Sequence, residues 1–220
     1  MTIFRVVDTE GNLEGGIVEI ASLDVLAGEY ANPQSDLVNP PDGICIEAMS
    51  IHHITPNMVV DAPLVDDIIH KYLGADYYIA HNAKYDRSKL PQIPEDTPWI
   101  CTLKLSRYFY PDLPKHNNQY MRYALGLTVD VPSDLYPHRA LYDCYVTAAL
   151  LVHFATVCEC SVEGMLQITN NPCLLSTIHF GKNKGKKWAE IDRGFLVWCR
   201  DKMTDKDEDT AYTVNYYLNN

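Results

Sequence analysis

Two carboxylates end the first apolar stretch of the sequence. Asp8 and Glu10 lie two residues apart in VVDTEGN. Side chains at i and i+2 of a strand project from one face, so both carboxylates would project together and Thr9 away from them. Ionised carboxylates this close repel unless a cation lies between them, and hard divalent cations bind such oxygen ligands. The pair predicts a metal site at a strand tip, although an acidic strand end that faces water is the commoner explanation of an isolated D-x-E.

Two later segments contain groups that could complete such a site. HNAKYD contains Asn82 and Asp86 after the strand-like YYIA, and HRALYD contains His138 and Asp143. Apolar residues recur at helical spacing over residues 139–156, so we predict a long helix there. A histidine just before this helix and an aspartate in its second turn could converge beside the strand tip. A neutral imidazole is suited to accept a proton near neutral pH.

The remaining pattern predicts the elements that position these groups. Strands are predicted at residues 3–9, in a hairpin that begins at a Gly-Gly turn and continues through SDLVNP, and at YYIA and PWIC. Helices are predicted at residues 65–73, 83–90 and 117–125, and MSIHHIT is predicted to be a loop. Strands at the start and helices later predict an α/β domain over residues 1–157. Residues 158–220 are predicted to form a small α+β appendage, with a short strand before a lysine-rich turn.

Composition narrows the class of protein. The chain has 220 residues and a net charge of −11, and residues 1–160 hold the whole acidic excess. An acidic body argues against bulk non-specific nucleic-acid binding, but it permits a polyanionic substrate that meets bound cations. The seven cysteines have no zinc or disulfide spacing, and no signal peptide or membrane-length apolar run is visible. We expect a cytoplasmic protein with reduced cysteines.

Together, DTE, HNAKYD and HRALYD resemble the three motifs of the DEDDh 3′→5′ exonucleases, in the same order and with similar spacing over residues 1–155. The resemblance implies a ribonuclease-H-like fold, an α/β mixed sheet flanked by helices. It implies two bound divalent cations, Mg²⁺ or Mn²⁺, and His138 as the general base of phosphodiester hydrolysis. The product would be a 5′-nucleoside monophosphate. The four metal-binding carboxylates would be Asp8, Glu10, Asp86 and Asp143.

The resemblance also implies substrate contacts near the carboxylates, at Thr9, Leu13, His52 and Asn82. Leu13 would be an apolar wedge against the last base or base pair, or alternatively a core residue, and its loop is one residue shorter than in the relatives it resembles. His52 would line the pocket of the terminal nucleotide, unless it is simply solvated. Asn82 would hydrogen-bond the substrate or cap the following helix. Glu19, in an apolar strand, either orients a ligand or is an edge residue.

Four lysines occur between Phe180 and Trp188 with no acidic residue among them. We call Lys182, Lys184, Lys186 and Lys187 the lysine turn. HFGKNKGKKW resembles an F-G-K-x-K/R-G element in the C-terminal region of a DNA-degrading branch of the same family. The turn is therefore a candidate phosphate contact, with a solvated loop as the alternative.

The sequence predicts a metal-dependent 3′→5′ exodeoxyribonuclease that acts on DNA 3′ ends, single-stranded or duplex. An exoribonuclease that trims RNA and a non-catalytic binding module for nucleic acid or a protein partner are the alternatives. The complete set of four acids and one histidine favours an enzyme. No membrane partner is expected, and the sequence does not indicate a protein partner.

Overall fold

A computed structural model describes residues 2–12 and 15–220 of the chain. Its centre is a five-stranded sheet in the order β3-β2-β1-β4-β5. The first three strands are antiparallel neighbours, and β4 and β5 extend the sheet in parallel with β1. The strands are β1 (Phe4–Gly11), β2 (Ile17–Leu26), β3 (Glu29–Leu37), β4 (Tyr77–Ala80) and β5 (Trp99–Cys101).

Helices flank this sheet on both sides, which confirms the predicted α/β class. They are α1 (Ile46–His52), α2 (Pro56–Val59), α3 (Val65–Ile68), α4 (Ala83–Lys89), α5 (Thr102–Phe109), α6 (Asn118–Ala124), α7 (Ala140–Thr156), α8 (Val162–Asn170), α9 (Arg193–Asp201) and α10 (Glu208–Asn219). Within the described ranges, no helix has both the length and the apolar character that a membrane span requires.

The core lies on both faces of β1 because successive strand residues alternate between the two faces. Val6 belongs to the apolar cluster that contains most of α7, and Val7 belongs to the cluster that contains Tyr72 and Trp99. Helix α7 is buried nearly all round and packs against β1, β2, β3 and β4. A helix buried in this way holds Asp143 at a fixed place beside the sheet.

Several sequence predictions differ from the structure. MSIHHIT is not wholly a loop, because residues 46–52 form α1. The sequence does not signal this helix clearly. Its apolar residues Ile46 and Ile51 are exposed, so they mark no buried face, and Cys45 makes no side-chain capping bond at its start. The predicted helix over 65–73 divides into α3 and a 3-10 turn at Ile69–Tyr72. The strand predicted before the lysine turn is only one β-bridge, between Thr177 and Lys187.

The C-terminal residues pack around an apolar cluster of their own, formed mainly by the segment before the lysine turn and by α9 and α10. Helix α8 packs instead against α5 and β5 of the body. The division at residue 157 stays a prediction, and we propose that the C-terminal unit begins after α8, near residue 171.

One buried carboxylate joins this unit to the body. Asp209 is 4% exposed and forms an ion pair with Arg107 of α5. Its other oxygen accepts a hydrogen bond from the Cys173 N–H at 2.8 Å and lies 3.8 Å from the Lys104 Nζ. We call this the Asp209 anchor. It fixes the start of α10 against a helix that follows directly from the central sheet.

Candidate active site

The predicted carboxylate pair lies on β1, at the end of the strand. In the antiparallel register with β2, Asp8 is opposite Ala21 and Glu10 is opposite Glu19. Residues directly opposite share a face of the sheet, so three acidic side chains project from this face. Like charges placed in this way destabilise a sheet unless other groups compensate for them.

Asp86 joins the pair from the first turn of α4. It is 2% exposed, and its Oδ1 accepts hydrogen bonds from the Thr9 N–H at 3.0 Å and from the Thr9 hydroxyl at 2.9 Å. Burial raises the pKa of Asp86 to about 7, although the two bonds from Thr9 oppose the shift. In the structure the Thr9 hydroxyl therefore holds Asp86, and the substrate contact predicted for Thr9 stays a prediction.

Asp143 and His138 reach the same place from the start of α7. The Asp143 carboxylate accepts hydrogen bonds from Gln119 Nε2 at 3.0 Å and from the His138 N–H at 3.2 Å. His138 has a left-handed φ of 67°, and its side chain is exposed. Ligand atoms of Glu10, His138 and Asp143 all lie within 4.8 Å of one another. The structure thus brings the strand tip and the third motif together, as the sequence predicts.

The electrostatics of this cluster fit a cation site. The pKa of Asp8 is raised well above its ordinary value by burial and then by the charges of Asp86, Asp143 and Glu10. Burial, followed by the charges of Asp143 and Glu19, raises the pKa of Glu10 to about 8. Carboxylates in such a group ionise together only when positive charge compensates for them. Their oxygen atoms are the ligands that Mg²⁺ and Mn²⁺ prefer.

An ion pair with Arg139 compensates for the negative charge of Glu19. Although Glu19 is 1% exposed, Arg139 donates from Nη2 to Oε1 at 2.6 Å and from Nε to Oε2 at 2.9 Å. The Ala140 N–H also donates to Oε2, at 3.0 Å. These contacts fix the first residues of α7 directly beside His138. Glu19 is therefore a buried partner of the residues that follow His138 and not an edge residue, and the prediction that it orients a ligand stays a prediction.

We expect Glu19→Gln to lower the hydrolysis rate per folded molecule by about 10- to 100-fold, as for groups that orient metal-site residues. Asp24→Asn is the matched control, because Asp24 forms a buried ion pair with Arg5 in the same two strands, away from the carboxylate cluster. Both variants should lose stability, since each removes the ion-pair partner of a buried or partly buried arginine. Equal rates per folded molecule for both variants, measured at the same folded fraction, would contradict the orienting role.

The structure places the other predicted substrate contacts in different surroundings. His52 is the last residue of α1 and is 1% exposed, so it is not a solvated loop histidine. Asn82 is at the N-cap position of α4 with a left-handed φ of 82°, but its side chain makes no capping hydrogen bond. The alternative that its side chain caps the helix is therefore not realised. Leu13, the predicted wedge, lies outside the described residues.

A cleft lies between the body and the C-terminal unit. This cavity of about 700 Å³ is lined by Asn82 and His116 of the body and by Lys184 of the lysine turn. All four lysines of the turn are exposed. Asn82 belongs to the same HNAKYD segment as Asp86, so a basic turn that lines this cleft is a candidate contact for an extended anionic substrate.

Sequence reasoning missed the residues that orient the cluster. Arg139 and Gln119 hold Glu19 and Asp143 respectively, and neither belongs to the predicted site. A signal existed for Arg139 alone, because a glutamate within an apolar strand requires a cation and this arginine follows His138 directly. Gln119 lies on α6 and carries no such signal.

Comparisons with known proteins agree with this geometry. The RNase T family model, described as an exonuclease, matches residues 8–151. The chain is 42% identical over 222 residues to Exodeoxyribonuclease 10 of Escherichia coli (strain K12), a match that covers 99% of this chain and 100% of that protein.

Solved structures give the same result. The structure of exonuclease X in complex with 5′ overhanging duplex DNA has a TM-score of 0.72 and 46% identity, over 76% of this chain and 99% of that one. The nuclease domain of 3′hExo, a DEDDh family member bound to rAMP, has a TM-score of 0.54 and 19% identity, over 70% of this chain and 92% of that one. The second likeness shows a shared fold alone. The predicted family resemblance and the predicted ribonuclease-H-like fold are both confirmed.

Proposed function

Since the chain belongs to the exonuclease family, as a 3′→5′ exonuclease of the DEDDh type, we propose that it is a metal-dependent exodeoxyribonuclease that releases 5′-nucleoside monophosphates from DNA 3′ ends. The observation that carries the proposal is the approach of Glu10, His138 and Asp143 to within 4.8 Å of one another. DNA is the proposed substrate because the E. coli relative is named an exodeoxyribonuclease and the similar solved exonuclease is bound to DNA.

The proposed metal ligands are the four carboxylates that surround the strand tip. Two divalent cations, Mg²⁺ or Mn²⁺, would supply positive charge to both the attacking and the leaving oxygen of the phosphodiester. The chain contributes the position of each ligand, because Thr9 holds Asp86, and Gln119 together with the His138 N–H holds Asp143. The ligands are Asp8, Glu10, Asp86 and Asp143.

His138 is the proposed general base. Its exposed side chain lies beside Glu10 and Asp143, where a substrate phosphate and its attacking water would be held. Its backbone N–H donates to Asp143, so this bond occupies neither of the two ring nitrogens. The imidazole can then accept the proton of the water as the new P–O bond forms.

We expect His138→Ala to lower the maximal rate by about 10²–10⁴-fold while substrate affinity stays close to that of the wild type. His53→Ala is the matched control, because His53 is also an exposed histidine with a left-handed φ, of 60°, outside the carboxylate cluster. The two rates are compared by single-turnover kinetics with saturating protein. A defect of His138→Ala that lies wholly in affinity would contradict the general-base role.

His52 is the proposed donor to the terminal nucleotide. Its Nδ1 accepts the Ile54 N–H at 3.0 Å, so the neutral ring carries its proton on Nε2. That Nε2 is buried and has no partner among the described residues. Burial lowers the pKa of His52, which keeps the ring neutral near physiological pH. A buried donor left without a partner in the free protein is suited to a group that the substrate supplies.

The lysine turn is the proposed contact with the backbone phosphates of the DNA. We expect replacement of its four lysines by Gln to weaken binding of all sequences alike, because phosphate contacts carry no sequence information. The slope of log affinity against log salt should fall by about 0.7 per lost contact on single strands and about 0.9 on duplex. Lys202→Gln removes an exposed lysine outside the turn and serves as the control. An unchanged salt slope would identify the turn as a solvated loop.

The proposal is tested with DNA and RNA oligonucleotides of one sequence, labelled at the 5′ end and incubated with the full chain and Mg²⁺. We expect the DNA to shorten progressively from its 3′ end, with 5′-mononucleotides as the only small product by chromatography. Faster shortening of RNA would favour the exoribonuclease alternative. Binding of either oligonucleotide without shortening would favour the non-catalytic module.

A further inference from the structure

Another cavity is lined by different residues of the lysine turn. It has a volume of about 820 Å³ and is lined by Phe180, Lys182, Lys186, Asp192, Phe195 and Trp198. We call it the aromatic groove. It belongs entirely to the C-terminal unit, and none of the metal-binding carboxylates lines it. Neither the family match, which ends at residue 151, nor the proposed catalytic chemistry uses it.

Aromatic rings form one wall of the aromatic groove. The rings of Phe195 and Trp198 are stacked with centroids 5.8 Å apart and an interplanar angle of 20°. Phe180 is stacked behind Phe195, at 6.4 Å and 28°. Phe195 and Trp198 are three residues apart on α9, so they lie on one face of the helix. The stack holds the indole in place although 49% of Trp198 is exposed to solvent.

The other side of the aromatic groove is basic. Lys182 and Lys186 are exposed on the lysine turn. The one acidic lining residue, Asp192, accepts the Phe195 N–H at 3.0 Å as the N-cap of α9, so its carboxylate is used by the helix. In a chain with a net charge of −11, this local positive charge selects an anionic occupant.

We propose that the aromatic groove binds single-stranded nucleic acid by stacking a base on Trp198, while Lys182 and Lys186 contact the flanking phosphates. Proteins that bind single strands without sequence preference combine aromatic platforms with a positively charged groove in this way. The inference rests on the proposed function for its substrate. It adds to that function a second attachment point, away from the 3′ end and specific for unpaired bases.

The lysine turn connects this site to the active site. Lys184 lines the cleft that begins at Asn82, whereas Lys182 and Lys186 of the same turn line the aromatic groove. A strand that runs from Asn82 along the cleft would therefore meet phosphate contacts at the turn before it reached Trp198. This order of contacts suits an extended strand with its 3′ end among the metal ligands.

Tryptophan fluorescence of the full chain tests the proposal directly. The sequence has three tryptophans, all within the described residues, and only Trp198 is exposed, since Trp99 and Trp188 are 4% and 1% exposed. With EDTA present to prevent hydrolysis, we expect a 12-residue thymidine oligomer to quench the fluorescence of the wild-type chain. An abasic oligomer of the same length and charge should not quench it, and should bind about 5- to 150-fold more weakly, the range for loss of one base–aromatic stack.

Two substitutions complete the test. Trp198→Leu should weaken binding of the thymidine oligomer by about the same factor and leave the salt slope unchanged, because the phosphate contacts remain. Tyr216→Leu, an exposed aromatic of the same unit outside the aromatic groove, should bind like the wild type. If Trp198→Leu does not fold, the comparison of the thymidine and abasic oligomers on the wild-type chain still tests whether a base stacks on Trp198.

Equal binding and equal quenching by the thymidine and abasic oligomers would overturn the proposal, and would leave the aromatic groove to a protein partner. This outcome is separate from failure of the proposed function. If the thymidine oligomer quenches the fluorescence but the chain hydrolyses no DNA in Mg²⁺, the binding site at Trp198 is supported and the proposed nuclease function is contradicted. If the chain hydrolyses DNA but shows no base-dependent quenching, the proposed nuclease function is supported and the binding site at Trp198 is contradicted.

Discussion

We expect exhaustive chelation of divalent cations to abolish DNA hydrolysis, and added Mg²⁺ or Mn²⁺ to restore it. Burial raises the pKa values of Asp8, Glu10 and Asp86, and the charges of neighbouring carboxylates raise those of Asp8 and Glu10 further, so that without cations these groups bind protons near neutral pH. A partly protonated cluster cannot supply the charge that the reaction requires. The measurement is the rate on 5′-labelled DNA after dialysis against EDTA and then after readdition of each metal. Undiminished hydrolysis after dialysis would contradict the metal-dependent proposal.

The stability of the chelated protein gives an independent readout. With pKa values of about 8 for Glu10 and about 7 for Asp86, the folded state binds more protons than the unfolded state between pH 5 and 8. The contribution of these groups to the free energy of unfolding is therefore greatest at low pH and is lost as pH rises through those values. Urea unfolding across this range should show the loss, and Mg²⁺ should remove it because the bound cation replaces the protons.

The four carboxylates should act as one catalytic unit. We expect Asp8→Asn, Glu10→Gln, Asp86→Asn and Asp143→Asn each to lower the rate on the order of 10³-fold or more, with double variants little worse than single ones. Each amide keeps the size of the side chain and an acceptor oxygen, so Thr9 and Gln119 keep a partner. The loss is then due to charge rather than to shape. Rates are compared with saturating DNA and excess Mg²⁺.

Asp134→Asn provides the control for this series, because Asp134 is an exposed acid in the loop that precedes His138. Its rate should match that of the wild type. Near-normal activity of Asp143→Asn would mean that α7 does not carry a metal ligand. Additive losses in the double variants would mean that the carboxylates act separately.

The carboxylate site was predictable because its signals are local. Asp8 and Glu10 depend only on the two-residue period of a strand, and Asp143 only on an apolar helix that the structure confirms at Ala140–Thr156. The contacts that orient these groups were not predictable in the same way. Glu19 and Arg139 are 120 residues apart in sequence, so their ion pair depends on how α7 crosses the sheet.

Local signals also failed where packing rather than pattern decides the structure. Helix α1 has no amphipathic face in the sequence, yet it contains the buried His52, the proposed hydrogen-bond donor to the terminal nucleotide. The strand expected before the lysine turn forms a single bridge among the described residues, Thr177–Lys187, and its apolar residues Ile178 and Phe180 pack into the C-terminal cluster. Hydrophobic runs of this length do not reveal whether a second strand will pair with them.

The Asp209 anchor has a consequence for how far digestion proceeds. Because this buried carboxylate ties α10 to α5, and α5 follows β5 without a linker, the distance from Asp8 to Trp198 is fixed by the fold. The number of nucleotides needed to span both sites is then a property of the protein, independent of sequence. With the proposed contacts, a strand trimmed below that length would still reach the cations but would no longer reach Trp198. It would then dissociate faster than a longer strand, and we expect digestion to slow at one characteristic residual length.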